Sequence, residues 1–413
     1  MDVTVCILPT GKRSIIDAIS LRWKKPDRAK SSQTFIYDRT YALTKSRKYG
    51  QVKLASHQRD LVMRKRSKPS TAHCNWNLYT LFLLAEPKYV SCVRLGTILE
   101  ELSHDSINRF LLRERYTPED LFNEVMGEVI LEGGVLSVDD TVIDKPYRDL
   151  NKTEFMGYFW SGKHKRAVLG INMVTLYYTD IAGNSYPINY RIFDKQENKT
   201  KNDYFIEMMD EIKRWGIKPA WVTGDCWYSS GPNLKFLRNE GVGFLFGIAI
   251  NRLVSLERGI VVQVQTLEVP ESGLVVYLKE FGWVKLFCQD FKNEARYYIL
   301  FRPELVSLLS LQRETFKHVH DNHWKIETFH RVIKQVCNIE RFHVRNGEAI
   351  RNHIFCALRA FVKLQTMVVD KLIDNLYQVS RQLFIPVIQQ FILKSCGGHY
   401  FPTDPEHGNP VNA

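Results

Sequence analysis

No apolar run in the chain approaches the roughly 18 residues that a membrane-spanning helix needs. The longest, Gly241 to Ile250, is bounded by Glu240 and Asn251 and reads as a buried strand. A secretory signal is also lacking, because Lys12 and Arg13 come too late and too little apolar sequence follows them. No two cysteines have C-x-x-C spacing. The eight present are scattered from Cys6 to Cys396, which argues against a disulfide framework or a structural zinc site and makes a reducing cytoplasm the expected location.

Acidic residues run short only at the N-terminal end. The net charge is +12, and residues 1–68 hold 17 Lys or Arg against five Asp, so the rest of the chain is neutral. Such an arm, which includes Arg64-Lys65-Arg66, suits a polyanion such as DNA; its ordinary reading is a solvated tail. Met63 is an alternative start. With 413 residues, 45% of them hydrophobic, the chain can build two or three domains.

From Asn75 the pattern turns helical. Trp76, Leu78, Leu81, Phe82 and Leu84 lead into a second segment, Val93 to Leu112, broken at Ser103-His104-Asp105-Ser106, where Ser103 or Asp105 can cap a helix. Two short amphipathic helices joined by a tight turn make a candidate helix-turn-helix, with Ser106, Asn108, Arg109 and Arg113 toward DNA. An ordinary helical hairpin has the same pattern. From Gly133 the period becomes that of strands: Val135 to Asp139, then a polar loop Tyr147 to Lys165, then Ala167 to Tyr178 and Tyr186 to Phe193 around the turn Asp180 to Asn184. Helix Asp203 to Trp215, strand Ala220 to Thr223, helix Asn233 to Asn239 and strand Gly243 to Ile250 follow, which describes an α/β mixed sheet flanked by helices.

Residues 252–300 read as strands again: Val261 to Leu267, Val275 to Leu278, Trp283 to Phe287 and Tyr297 to Phe301. Two helices come next, Val319 to Val336 and Glu348 to Leu372, before a Pro- and Gly-containing tail beyond Gly397. The expected organisation is a basic extension over 1–72, a helical DNA-binding domain over 73–130, the first part of a catalytic domain over 131–250, a β-rich insertion over 251–315, the end of the catalytic domain over 316–375, and a C-terminal helix and tail over 376–413.

Carboxylates stand at the joints of this pattern. Asp139 and Asp140 end the first strand, Asp225 follows Ala220 to Thr223, and Glu327 lies beside the apolar stripe Ile326, Phe329, Ile333 and Val336 of the long helix. Strand alternation lets only one of Asp139 and Asp140 point at a common site. Cutting or joining a phosphodiester needs an activated oxygen and a stabilised leaving oxygen, which two Mg²⁺ ions supply from a few carboxylates on separate elements. Each residue also has an ordinary reading. An Asp at a strand end serves as a cap or turn residue, and Glu327 with Arg331 is a common helix pair.

At these positions the sequence resembles the DDE transposases of bacterial insertion sequences, in their cut-and-paste branch. Three stretches carry the likeness: Val135-Leu136-Ser137-Val138-Asp139-Asp140-Thr141, Trp221-Val222-Thr223-Gly224-Asp225, and Trp324-Lys325-Ile326-Glu327-Thr328-Phe329-His330 with Lys334. It runs from about Trp76 to Leu372. The resemblance implies a ribonuclease-H-like fold and a transposase that cuts its element's ends and joins the freed 3′-OH to target DNA. It also implies Asp140, Asp225 and Glu327 as ligands of two Mg²⁺ ions, with Mn²⁺ as a substitute. In the family the first Asp is followed directly by Thr, which favours Asp140 and leaves Asp139 second. The branch often carries a Tyr and, three residues on, an Arg before its Glu; those positions here hold His320 and His323.

Lys334, Arg331, His323, His320, Arg109 and Lys165 are the expected DNA contacts, with Lys163, His164, Arg166, Arg341, Arg345 and Arg351 as further candidates. The expected partners are double-stranded DNA and a second copy of the chain, in a bacterial cytoplasm at the nucleoid. The competing readings are a ribonuclease-H-like nuclease without strand transfer and a non-catalytic DNA-binding descendant.

Overall fold

The structure, a computed structural model, describes residues 73–292, 294–303 and 308–395. The basic extension, Met63 and the tail beyond Gly397 lie outside the described residues. Four helices come first: α1 (Trp76–Ala85), α2 (Cys92–Ile98), α3 (His104–Arg113) and α4 (Pro118–Val125). Each begins at a residue whose side chain accepts from the first-turn amides. Asn75 accepts from Leu78 N, Ser91 from Arg94 N, Ser103 from Ser106 N, and Thr117 forms a reciprocal capping box with Asp120.

The strands and helices of the central layer are β1 (Val135–Asp144), β2 (Gly157–Ser161), β3 (Arg166–Thr179), β4 (Ser185–Ile192), α5 (Lys201–Arg214), β5 (Trp221–Gly224), α6 (Gly231–Asn239) and β6 (Gly243–Ile248). They are followed by β7 (Leu253–Glu257), β8 (Ile260–Gln263), β9 (Leu274–Leu278), β10 (Gly282–Phe291) and β11 (Glu294–Phe301). Helices α7 (Arg313–Gln335), α8 (Gly347–Val369), α9 (Gln378–Gln382) and α10 (Ile385–Ser395) close the described chain.

All eleven strands form one mixed sheet. β4, β3 and β1 are antiparallel neighbours, and β5 and β6 continue beside β1 in parallel. Strand β2, which the sequence reading left inside a polar loop, pairs with the first residues of β3. β1 also runs on five residues past Asp139, because Thr141 to Asp144 find ladder partners in Met173 to Gly170 of β3. The two aspartates therefore sit mid-strand instead of at its end. The strands read as an insertion extend the same sheet: β11 pairs antiparallel with β6, and β10, β9, β7 and β8 follow outward.

Helix α7 packs on β1, β5 and β6, while α5 covers β3 and β4 on the opposite face. Val135, Trp221 and Leu245 share a buried cluster with Phe316 and Val319 of α7. Phe329 of α7 stacks on Tyr177 of β3 at 5.1 Å and meets Phe361 of α8 edge-on at 4.8 Å. This clamp fixes the rotation of α7, and with it the side of the helix on which Glu327 lies.

The N-terminal helices pack on α8 and on the segment before it through buried polar pins. Asn352 Nδ2 donates to Leu111 O at 2.7 Å and Glu114 O at 2.8 Å, and Asn338 Nδ2 donates to Leu83 O and Glu86 O, both at 2.7 Å. Each amide satisfies two carbonyls left over at a helix C-terminus. Asn352→Ala strands two buried acceptors, at about 1–3 kcal/mol each. Chemical denaturation should show a loss of about 2–6 kcal/mol, whereas the exposed pair Lys218–Glu132 (2.7 Å) contributes little when broken.

One sequence expectation fails in this region. Ser106 does not face a DNA groove: it is buried, and its hydroxyl accepts from His73 N at 2.7 Å. The apolar side of α3 needs Ile107, Phe110 and Leu111 against α8, and Ser106 lies on that same side.

Candidate active site

β1 carries Asp139 and Asp140 on opposite faces. Directly paired strand residues share a face. Ser137 pairs with Tyr177, which stacks on α7, so Val135, Ser137 and Asp139 face α7. Val138 pairs with Gly224 in parallel, which places Asp225, the next residue, beside Asp139. Gly224 permits this close approach, since a Cβ there would meet Val138 Cγ1 at 2.8 Å and the Phe246 ring at 3.0 Å.

Asp140 lies on the α5 side. Its Oδ2 accepts from Lys201 Nζ at 2.7 Å and from Asn172 Nδ2 at 2.6 Å. Lys201 is the first residue of α5, where a cation opposes the helix dipole. That misplaced charge is the sequence signal that could have pointed to it, and the sequence reading passed over it. Trp227 is 59% exposed and lies beneath the same ammonium, 5.5 Å from ring centre to nitrogen.

The electrostatics divide in the same way. Burial first and Asp140 second push the Asp139 carboxyl up to about 7. Burial, then Asp139, then Asp140 do the same for Asp225, also to about 7. The carboxyl of Glu327 is raised by its own partial burial and then by Asp139, although the residue as a whole is exposed. Among the described residues no lysine or arginine forms an ion pair with Asp139, Asp225 or Glu327. The nearest basic group, His330 Nδ1 at 3.5 Å from Asp139 Oδ2, is pushed down to about 4 by burial and is therefore neutral. The α7 face thus gathers three acids whose nearest lysines and arginines, Lys201, Lys334 and Arg331, act only from beyond ion-pair distance.

These groups suit a hard divalent ion in kind: they are carboxylates, they repel one another, and they come from three elements. Among the described residues, however, no three His, Cys, Asp or Glu converge closely enough to chelate an ion unaided.

The expected DNA contacts are placed unevenly. Arg331 is exposed on α7, and Lys165 is exposed in the β2–β3 turn with φ 53°. Lys334 Nζ is held by Val142 O at 2.7 Å and lies 3.5 Å from Glu340. Arg109 is half-buried with an unpartnered Nε. His320 stacks on Phe316 and has its Nε2 3.3 Å from the Tyr298 hydroxyl, so its ring is engaged inside the protein. His323 is pushed down to about 4, by burial first and by its neighbours His320 and His330 next.

Residues 131–362, more than half of the chain, match the family described as transposase DDE domain. The chain belongs to that family. No protein of curated function matches it. A solved structure described as the piggyBac transposase synaptic complex with hairpin DNA is similar at a TM-score of 0.46 and 14% identity, over 82% of this chain and 77% of that one. The family match spans Asp139, Asp140, Asp225 and Glu327 and stops short of the N-terminal helices. No helix among the described residues is long and apolar enough to cross a membrane.

Proposed function

We propose that this member of the transposase DDE domain family is a DNA transposase that cuts the ends of its own element and joins the freed 3′-OH to target DNA. The observation that carries the reading is the α7 face itself, where Asp139 and Asp225 stand side by side, Glu327 lies near Asp139, and each carboxyl is raised although Lys201, Lys334 and Arg331 pull the other way from a distance. We take Asp139 as the first carboxylate, in preference to Asp140, because it shares that face with Asp225 and Glu327. Asp140 becomes the partner that holds Lys201.

In this reading Asp139 and Asp225 hold the divalent ion from adjacent strands, and Glu327 closes the site from α7. Bound there, Mg²⁺ or Mn²⁺ supplies Lewis acidity at the phosphodiester and lowers the pKa of an attacking hydroxyl. The chain's own residues orient the DNA. Arg331 stands one helical turn beyond Glu327 and offers a guanidinium to the backbone near the cut. Lys201, held by Asp140, whose carboxylate Asn172 also orients, sets a positive charge behind the strand pair. Neutral His330 packs under Asp139 and adds no competing charge.

A ribonuclease-H-like catalytic core is part of the proposal. It is supported by the order β4-β3-β1-β5-β6, three strands antiparallel and two parallel, with acids on the first strand, after the fourth and on a following helix. A bacterial insertion sequence, a cytoplasmic location at the nucleoid and a dimer that brings two ends together complete the reading.

The alternative is a nuclease of the same core that cuts without joining. The two separate in a strand-transfer assay with DNA taken from either side of the gene. A transposase leaves covalent joints to a target plasmid in Mg²⁺, and its flanks carry terminal inverted repeats bordered by short direct repeats. A nuclease leaves only cuts.

A further inference from the structure

A second site lies away from the carboxylates, where the turn after β1 meets α3 and the start of α8. A cleft of about 540 Å³ opens there between Asn108, Leu111 and Leu112 of α3, Arg148, the segment 343–346 and Ala349. Three of its lining residues are basic (Arg148, His343 and Arg345) and none is acidic. From Asp139 to the end of β1 is five residues, roughly 16 Å along the strand, and Arg148 lies in the turn beyond.

The positive groups in this cleft act on one another, and the one acid that feels Arg345, Asp149, is exposed and pairs with Lys152. Arg148 Nη2 is oriented by Phe342 O at 3.0 Å, a neutral acceptor. Its guanidinium is held below the usual range by burial and then by Arg345. His343 is held down by burial, then by Arg148 and Lys145. The guanidinium of Arg345 has neither a hydrogen bond nor an ion pair among the described residues. The nearby acids are engaged elsewhere: Asp149 pairs with Lys152 at 3.3 Å, Glu348 with Arg115 at 3.3 Å, and Glu154 Oε1 accepts from Asn346 at 3.4 Å. Asn346 already caps α8, so the amides at that helix start are occupied and do not make the site. What remains is a fork of two guanidiniums, an imidazole and the Asn108 amide around an open space.

We propose that this cleft binds a backbone phosphate of the DNA duplex at a distance from the cut, and so sets which phosphodiester reaches the carboxylates. Two converging guanidiniums match phosphate geometry. Leu112, 45% exposed, offers an apolar wall for the adjoining sugar. The proposal rests on the reading of the chain as a DNA-processing enzyme.

The test uses the full chain in EDTA and a labelled 30-base-pair duplex taken from beside the gene, with binding followed by fluorescence anisotropy across a salt series. Each phosphate contact contributes about 0.9 to the slope of log affinity against log salt. The expected result is a slope shallower by about 0.9 in Arg345→Gln and in Arg148→Gln, and restored in Arg345→Lys. Arg345 has no side-chain hydrogen bond or ion pair among the described residues, only a weak attraction to exposed Asp149, so its variant keeps the fold. If the parent chain binds the duplex and both Gln variants keep its slope, the cleft proposal falls alone. If the parent chain does not bind the duplex, the DNA reading falls and takes the cleft with it. A second arm titrates inorganic phosphate and follows thermal stability. Stabilisation by millimolar phosphate that disappears in Arg345→Gln, with the duplex slope unchanged, would assign the cleft to a free phosphate and overturn the proposal.

Discussion

Asp139→Asn will lower DNA cleavage in Mg²⁺ by about a thousandfold, while Asp140→Asn will lower it by less than about tenfold. A ligand to a catalytic ion contributes several kcal/mol of charge stabilisation in the transition state, and each 1.36 kcal/mol is a factor of about ten in rate. Asp139 shares the α7 face with Asp225 and Glu327, so an amide there weakens the site directly. Asp140 faces Lys201 and Asn172, and an amide keeps the size and part of the hydrogen bonding of that contact. Single-turnover cleavage of end DNA by both variants, compared with the parent chain, decides the matter. Equal losses, or the reverse order, would return the first ligand position to Asp140.

The second large effect is on stability. Asp139 and Asp225 are raised from the ordinary carboxylate range to about 7 in the folded chain. Between about pH 4 and pH 7 the folded state therefore holds protons that the unfolded chain has released. The stability these groups contribute is complete below about pH 4 and is lost as pH rises through 7.

Other groups oppose this trend. His323 and His330 are pushed down to about 4 and His353 to about 3, each chiefly by burial, and their contribution rises with pH up to about 6.5. Lys145, lowered to about 7 by burial and by Arg148, adds a rise between about 7 and 10.5. The informative quantity is therefore a difference. In EDTA, the stability of Asp225→Asn minus that of the parent chain will grow from pH 5 to pH 7.5. Adding Mg²⁺ at pH 7.5 will shrink it, because the parent chain alone gains from the ion. A difference that stays flat with pH means that Asp225 titrates normally and is not held among the other acids.

Much of this architecture was legible in the residues. The turn Asp180 to Asn184 marked β3 and β4, because it interrupts two runs rich in β-branched and aromatic residues that are buried almost throughout. The stripe Ile326, Phe329 and Ile333 marked α7 because a helix clamped between a sheet and another helix needs one continuous apolar side. The position of the aspartates within β1 was not legible. Asp-Asp-Thr interrupts the apolar pattern and looks like a strand end, whereas the ladder with β3 carries the strand past it.

The choice between Asp139 and Asp140 was hidden for a related reason. Alternation says that they oppose each other, and the proposal of Asp139 rests on the pairing with β5 and the seat of α7, which lie outside any local pattern. The likeness in the Asp-Thr step pointed to one residue and the sheet geometry to its neighbour. Lys201 was missed because its partner is 61 residues away in sequence. The strands beyond β6 gave their type but not their place, since the pairing of β11 with β6 depends on contacts across about fifty residues. In α3, a serine next to a capping residue looked exposed. Its burial follows from the packing of α3 on α8, which no local pattern records.

The most direct test is strand transfer by the purified chain and by its Asp225→Ala variant, run side by side on DNA from the gene's own flanks with a target plasmid. The account predicts cut ends and sequenced joints from the parent chain in Mg²⁺, none in EDTA, and neither product from the variant. End cleavage by Asp225→Ala in Mg²⁺ would contradict it.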